Sequence, residues 1–134
     1  MSENLTDNHS FSFKKKECLS SRKIIQELFD KGSSFYLFPF KVIYLENPLF
    51  LKDQTTPHQV LISVPKRKFK RAVDRNLLKR RIREGYRLNK SILSPIIFQK
   101  AYLIAYIYTT DKVLPQATIS KKLIAVLDRL KQTN

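Results

Sequence analysis

The stretch QVLISVPKRKFKRAVDRNLLKRRIREGYRLNK, residues 59–90, decides the fold. Residues 59–64 form a short apolar run that Pro65 ends, as is typical of a buried strand. Residues 72–90 have helical spacing, and four apolar residues trace one stripe: Val73, Leu77, Ile82 and Tyr86. The stretch therefore predicts a strand, a basic loop over residues 66–71 and a long helix.

The segments on the N-terminal side predict a helix and one clear strand. Residues 22–31 have helical spacing, with Ser20 or Ser21 as N-cap and Gly32 as the C-terminal glycine. Residues 38–45 alternate as a strand, with Phe40, Val42 and Tyr44 on one face and Lys41, Ile43 and Leu45 on the other. Residues 49–52 are interpreted as a short strand or part of a hairpin.

The segments on the C-terminal side predict a strand at 101–108 and a final helix after Pro115. The expected order is α-β-β-β-α-β-α, an α+β two-layer sandwich with a mixed sheet. With 134 residues, we expect one domain over residues 13–131, between a disordered N-terminal segment (1–12) and a short tail (132–134).

The positive charge is concentrated in the stretch that decides the fold. The chain carries 26 Lys+Arg against 11 Asp+Glu, for a formal net charge of +15. Twelve of the basic residues and only two of the acids lie in residues 65–90, so this fifth of the chain holds two thirds of the net charge. Such a charge repels itself and favours an anionic partner: nucleic acid, a membrane surface or an acidic protein.

Other features exclude several classes of protein. A single cysteine, Cys18, cannot form an internal disulfide, and the two histidines, His9 and His58, stand in polar, turn-prone sequence without metal-ligand spacing. The first ten residues are polar and acidic, whereas a signal peptide is basic and apolar. The longest mostly apolar stretch, residues 101–108, is too short to span a bilayer. We expect a cytoplasmic protein with no membrane partner and no metal or cofactor bound by the protein alone.

The predicted long helix carries a phased cationic stripe. Basic residues repeat at i, i+4, and one more lies beside them: Arg75, Lys79, Arg83 and Arg87, with Arg80. Arginine suits phosphate oxygens, and Asn76 adds a side chain that can bond a base edge or a sugar hydroxyl. A helix-turn-helix reader needs a preceding helix, and a membrane-surface helix needs a broad apolar face, so structured RNA fits best.

A family resemblance runs through these residues. Ile62-Ser63-Val64-Pro65-Lys66-Arg67, Arg71-Ala72 and Arg75-Asn76-Leu77-Leu78-Lys79-Arg80-Arg81-Ile82-Arg83-Glu84 resemble the bacterial ribonuclease P protein subunit. That family has a strand ending in Ser/Thr-Val-x-Lys-Lys/Arg, a basic loop and a helix beginning Arg-Asn-Arg. Phe11-Ser12-Phe13-x-Lys15 and Leu28-Phe29-x-x-Gly32 are also similar to it. Leu77 departs from the usual third Arg, and Arg81, Lys68 and Lys70 are candidates to compensate.

The resemblance implies a fold and a mechanism. The implied fold is that of ribosomal protein S5 domain 2, with a left-handed β-α-β crossover against the usual right-handed rule. The implied function is that of a protein subunit of a tRNA-processing ribonucleoprotein, in which a catalytic RNA holds Mg²⁺ and cleaves precursor tRNA to leave the mature 5′ end. The protein is expected to bind that RNA and to hold the single-stranded 5′ leader in a cleft between the first helix and the sheet.

The resemblance also implies site residues. The RNA-binding candidates are Lys66, Arg67, Arg71, Arg75, Asn76, Lys79, Arg80 and Arg83. The leader-cleft candidates are Phe13, Lys15, Ile25, Phe29 and Tyr44, and no catalytic residue is assigned to the protein. Two alternatives stay open: a structural, ribosomal-type RNA-binding protein with no role in cleavage, and a protein nuclease that acts alone.

Overall fold

The computed structural model describes residues 17–47, 58–96 and 101–132. Their helices and strands follow in the order α1 (Arg22–Lys31), β1 (Ser33–Leu37), β2 (Phe40–Glu46), β3 (Gln59–Ser63), α2 (Ala72–Asn89), β4 (Tyr102–Tyr108) and α3 (Gln116–Gln132), and a 3₁₀ helix (Lys90–Ile96) follows α2 directly. This confirms the α+β class, and the order α-β-β-β-α-β-α agrees with the prediction, although its first strand is not one of the predicted strands. The interpretations of residues 1–12 and 49–52 concern segments outside the described residues.

The first strand of the sheet was not predicted. β1 pairs antiparallel with β2, and the turn between them is formed by Phe38 and Pro39, which are joined by a cis peptide bond. The prediction that a strand begins at Phe38 is therefore wrong, since β2 begins at Phe40. β1 carries two serines and is exposed at three of its five positions, so it lacks the apolar alternation that marks a half-buried strand.

The sheet is mixed, as predicted. Its strand order is β1-β2-β4-β3, with β2 antiparallel and β3 parallel to β4. Because β3 and β4 are parallel neighbours joined through α2, the predicted β-helix-β unit is confirmed. The hand of this crossover and the named fold stay predictions.

The two faces of the sheet bury different sets of residues. The α2 and α3 helices cover one face, where the largest buried side chains of the described residues include Phe40, Tyr86, Tyr106 and Tyr108. The α1 helix lies on the other face, where a smaller cluster packs around Leu28: Leu19, Ile43, Leu103 and Ala105. The predicted alternation along β2 is confirmed, because Val42 and Ile43 belong to different clusters.

The packing of α2 corrects its predicted apolar stripe. Ile82 and Tyr86 are buried as expected, but Val73 is 66% exposed and Leu78 is fully buried. Gly85 permits the close approach of α3, since a Cβ atom there would lie 2.6 Å from Leu123 Cδ1. The buried seam of α2 therefore runs through Leu78, Ile82 and Gly85, and its opposite side is free to carry charge.

Both ends of α1 are fixed by residues that the sequence predicted, although one acts for another reason. Ser21 is the N-cap, and its hydroxyl accepts a hydrogen bond from the Ile24 amide at 3.4 Å. Gly32 follows the helix with φ of −69°, so no left-handed conformation requires a glycine there. Instead, a Cβ atom on Gly32 would collide with the backbone oxygen of Leu28 and lie 3.0 Å from that of Tyr44.

Candidate nucleic-acid interface

The basic loop before α2 has a defined shape. The amides of Lys68 and Phe69 both donate to the Pro65 carbonyl, at 3.2 and 3.3 Å, which closes a turn. The Phe69 side chain is buried, and its ring centroid lies 5.9 Å from that of Tyr108. Since Phe69 anchors the loop in the core, Lys66 and Arg67 are presented on the exposed turn.

Arg75 ties the loop to the first turns of α2. Its Nη1 donates to the carbonyls of Phe69 and Lys70, at 2.7 and 2.9 Å. The Arg71 residue at the N-cap position makes no side-chain capping bond, so Arg75 is the residue that links loop and helix through its side chain. Arg75 therefore positions the loop, and its predicted direct contact with RNA stays a prediction.

The other predicted RNA-binding side chains project freely. Five of these cations are exposed, namely Lys66, Arg67, Arg71, Arg80 and Arg83, and the sixth, Lys79, is half-buried. Asn76 is exposed as well. Within residues 17–47, 58–96 and 101–132, none of these seven side chains forms a hydrogen bond or an ion pair. We refer to the six cations as the cationic ridge.

Two further arginines of α2 have intramolecular partners. Arg81 Nη1 donates to the Leu114 carbonyl at 2.6 Å, so this arginine is partly engaged within the chain, and its role as a candidate to compensate for Leu77 stays a prediction. Arg87 bonds both carboxylate oxygens of Glu84, at 3.1 and 2.6 Å, and this lowers the pKa of the Glu84 carboxyl. The repulsion along the helix is thus partly relieved inside the chain, which the sequence did not reveal.

The ridge borders a groove at the edge of the sheet. The groove has a volume of about 200 Å³ and is lined by Cys18, Leu19, Val60, Leu61, Ile62, Lys79 and Arg83. The segment before α1 pairs with β3 there only briefly, through a bridge between Cys18 and Val60 and a 2.9 Å bond from the Leu19 amide to the Val60 carbonyl. Lys79 and Arg83 therefore stand beside an edge strand whose later residues have no neighbouring strand on that side among the residues that the structure describes.

The leader-cleft candidates do not all meet. Ile25 lies in α1 and is half-buried, and Phe29, one turn further along the same helix, is 44% exposed. Tyr44 packs with the cluster on the opposite face of the sheet, 5.9 Å from the rings of Phe35 and Tyr102. The placement of Tyr44 in a cleft with Ile25 is therefore wrong, and its neighbours Ile43 and Leu45 are the β2 residues that pack in the cluster on the α1 side. Phe13 and Lys15 lie outside the described residues.

One transverse row on the α1 side of the sheet stays open. Strand register places Tyr36 beside Lys41, Lys41 beside Ile107, and Ile107 beside Ser63, so the row crosses all four strands. Tyr36 and Lys41 are exposed, and Ile107 and Ser63 are half-buried. We call these four residues the open row. Sequence reasoning missed Tyr36 because its strand was not predicted.

Several buried polar groups form contacts inside the protein and are not part of the candidate interface. His58 is buried, in contrast to its predicted polar surroundings, and its Nδ1 accepts the Tyr102 amide at 2.8 Å. Burial lowers the pKa of His58 to about 4, although the Leu93 backbone opposes part of the shift. Burial also raises the pKa of Tyr106. Lys90 and Glu17 form a largely buried ion pair at 2.8 Å, which fixes the segment that leads to α1.

The described ranges contain no helix able to cross a membrane and no cluster of metal ligands. No helix in them has the length and apolar character needed to cross a bilayer. No group of three His, Cys, Asp or Glu side chains in them is placed to bind a metal ion.

A mixed α+β sandwich with cations concentrated on one loop and helix, beside a half-open sheet face, has the features of a small nucleic-acid-binding protein. The chain belongs to the ribonuclease P protein family, whose model matches residues 13–131. This confirms the resemblance seen in the central motif.

Individual relatives agree with this assignment. The chain is 31% identical over 128 residues to the ribonuclease P protein component of Porphyromonas gingivalis, covering 94% of this chain and 91% of the relative. Among solved structures, it is similar to the RNase P protein of Staphylococcus aureus, with 28% identity, a TM-score of 0.67 and coverage of 88% of this chain and 98% of that one. The RNase P protein of Thermotoga maritima gives 25% identity, the same TM-score of 0.67 and coverage of 84% and 96%.

Proposed function

We propose that this protein binds the catalytic RNA subunit of ribonuclease P through the cationic ridge. The observation that carries the proposal is that the six ridge cations have no intramolecular partner within the described residues. Charges of one sign on a single loop and helix repel each other, and a polyphosphate backbone removes that repulsion. If each cation neutralises one phosphate of a duplex, the affinity should fall with salt with a log–log slope of about −5.

We propose that the 5′ leader of precursor tRNA binds on the α1 side of the sheet. Single-stranded RNA is recognised by exposed aromatic rings and a cationic track, and this side offers the half-exposed ring of Phe29 and the open row. The edge groove lined by Lys79 and Arg83 also includes Leu19 and Leu61 of this side. One RNA strand could therefore extend from the ridge onto the sheet.

We assign the cleavage chemistry, with its Mg²⁺, to the RNA. In this proposal the protein, acting in the cytoplasm, orients the precursor tRNA and neutralises phosphates, which favours the compact RNA and its divalent ions.

The proposal is tested with the reconstituted ribonucleoprotein at low Mg²⁺. The double variant Lys79→Ala/Arg83→Ala removes two ridge cations, so we expect weaker binding to the catalytic RNA, a salt slope shallower by about two and slower 5′ maturation. The matched control is Lys121→Ala/Lys131→Ala, which removes two exposed lysines of α3. Equal losses for both pairs would show that net charge alone drives binding.

The alternatives give different results in the same assay. A structural RNA-binding protein would bind RNA without changing the rate of cleavage or the affinity for precursor tRNA. A protein nuclease would cleave precursor tRNA with Mg²⁺ after every trace of RNA has been removed. We expect no cleavage by the RNA-free protein, and cleavage under those conditions would overturn the assignment of the chemistry to the RNA.

A further inference from the structure

The open row contains an aromatic ring that is both exposed and held in place. Tyr36 is 57% exposed, more than the other aromatic side chains of the described residues. Its hydroxyl lies 3.2 Å from Thr109 Oγ1, which itself lies 2.8 Å from the Pro39 carbonyl. Since the single Thr109 hydroxyl proton is donated to Pro39, the Tyr36 hydroxyl is the donor of the first bond.

This chain of hydrogen bonds fixes the direction of the ring. The Thr109 amide also donates to the Pro39 carbonyl, at 2.8 Å, so the turn, the end of β4 and the Tyr36 side chain are linked. An exposed side chain normally loses rotamer freedom when it binds a ligand. Tyr36 has already lost much of that freedom, so its exposed ring is preorganised for contact.

The neighbour of Tyr36 adds a charge. Lys41 is paired with Tyr36 in the register of the β1–β2 hairpin, is exposed and has no side-chain partner in the part of the chain that the structure describes. Side chains directly opposite each other on one face lie about 5 Å apart at Cβ. A flat ring and an ammonium group at this separation match the base and the phosphate of one nucleotide. The open row contains no acid that would repel the phosphate.

We infer that Tyr36 and Lys41 form a nucleotide subsite for single-stranded RNA, in which a base stacks on the Tyr36 ring and a phosphate contacts Lys41. Stacking on a ring requires no particular base, so the subsite tolerates any sequence. Duplex RNA does not fit, because its bases are already stacked on each other. The inference rests on the proposed function for its physiological ligand, the 5′ leader, and it assigns separate roles within that surface to two residues of the β1–β2 hairpin.

The test uses the full-length protein and a fluorescein-labelled single-stranded RNA of ten nucleotides. Tyr36→Ala should weaken binding about tenfold, whereas Tyr36→Phe, which keeps the ring and loses only the hydroxyl, should stay within about threefold of the wild type. Lys41→Gln should make the salt slope shallower by about 0.7, the value for one phosphate contact on a single strand. A duplex of the same length should bind the wild type and Tyr36→Ala equally.

The outcomes separate this inference from the proposed function. Unchanged oligonucleotide affinity in Tyr36→Ala, or the absence of saturable binding by the wild type, would overturn the subsite. If Tyr36→Ala does not fold, Lys41→Gln and Tyr36→Phe still test the subsite. The subsite is overturned if Lys41→Gln leaves the salt slope unchanged and Tyr36→Phe loses as much affinity as Tyr36→Ala. If the oligonucleotide results are as expected but affinity for precursor tRNA does not depend on its leader, the subsite stands and the proposed leader role fails.

Discussion

The role of Arg75 gives the sharpest prediction, because its two carbonyl bonds are internal to the protein. Arg75→Ala removes the bonds to Phe69 and Lys70, which measure 2.7 and 2.9 Å. A hydrogen bond from a charged group contributes about 1.5–3 kcal/mol when it is buried. Arg75 is only half-buried, and water can solvate the freed carbonyls, so we expect a loss of about 1–2 kcal/mol in the free energy of unfolding for the pair.

The matched control is Arg80→Ala, which removes an equal charge from the same helix. Arg80 is exposed and its side chain has no partner within the described residues, so its removal should change stability by less than about 0.5 kcal/mol. Arg75→Lys separates charge from geometry. The lysine ammonium keeps the positive charge but lacks the planar fork, and we expect it to recover only part of the lost stability.

Urea unfolding and amide hydrogen exchange measure these effects together. The amides of Lys68 and Phe69, which bond the Pro65 carbonyl, should lose protection in Arg75→Ala and keep it in Arg80→Ala. Affinity for the catalytic RNA should fall further in Arg75→Ala, since Lys66 and Arg67 then sit on a less ordered loop. If the two alanine variants show the same stability and loop protection, or if Arg75→Lys restores RNA binding without restoring loop protection, then Arg75 acts as a direct phosphate contact and our reasoning is wrong.

Three other changes test the fold. Gly32→Ala places a Cβ atom against the Leu28 carbonyl oxygen, so urea unfolding should show a loss of at least about 2 kcal/mol, and a loss below 1 would contradict the packing. Tyr106→Phe removes a buried hydroxyl that lacks a hydrogen-bond partner in the described residues, so thermal unfolding should show equal or higher stability, and a clear loss would mean that the hydroxyl is bonded. His58 has a pKa of about 4 in the folded state against 6.5 unfolded, so its contribution is complete above pH 6.5 and is lost as the pH falls towards 4. The free energy of unfolding should therefore drop by about 2–3 kcal/mol more between pH 7 and 4.5 in the wild type than in His58→Asn, and equal drops would place this histidine in solvent.

The sequence predicted the central unit of the fold well. Apolar periodicity located β3, α2 and β4, because a strand and a helix with one buried face repeat their apolar residues with different periods. β1 was missed since its residues are mostly exposed, and its pairing with β2 depends on the turn at Phe38 and Pro39.

The sequence predicted which side chains of the candidate site are exposed better than it predicted their contacts within the protein. Seven of the eight RNA-binding candidates project freely, as expected of a cationic surface on one loop and helix. Arg75 differs because it bonds the carbonyls of residues five and six positions earlier in the chain. These carbonyls lie near the helix because the loop is anchored by the buried side chain of Phe69. The alternation along β2 correctly separated Ile43 from Tyr44, but it could not say which of the two faces α1 would cover.

The amino-acid sequence by itself determined where the charge lies and which segments are helix or strand, since both follow from residues that are close together in the chain. Only the tertiary structure decided that Lys79 and Arg83 stand beside the open edge of β3, that Ile43 and not Tyr44 faces α1, and that Tyr36 and Lys41 remain uncovered. Those placements depend on strand order and on which helix covers each face of the sheet. They are set by packing between residues far apart in sequence, for which the local periods of a helix or strand carry no information.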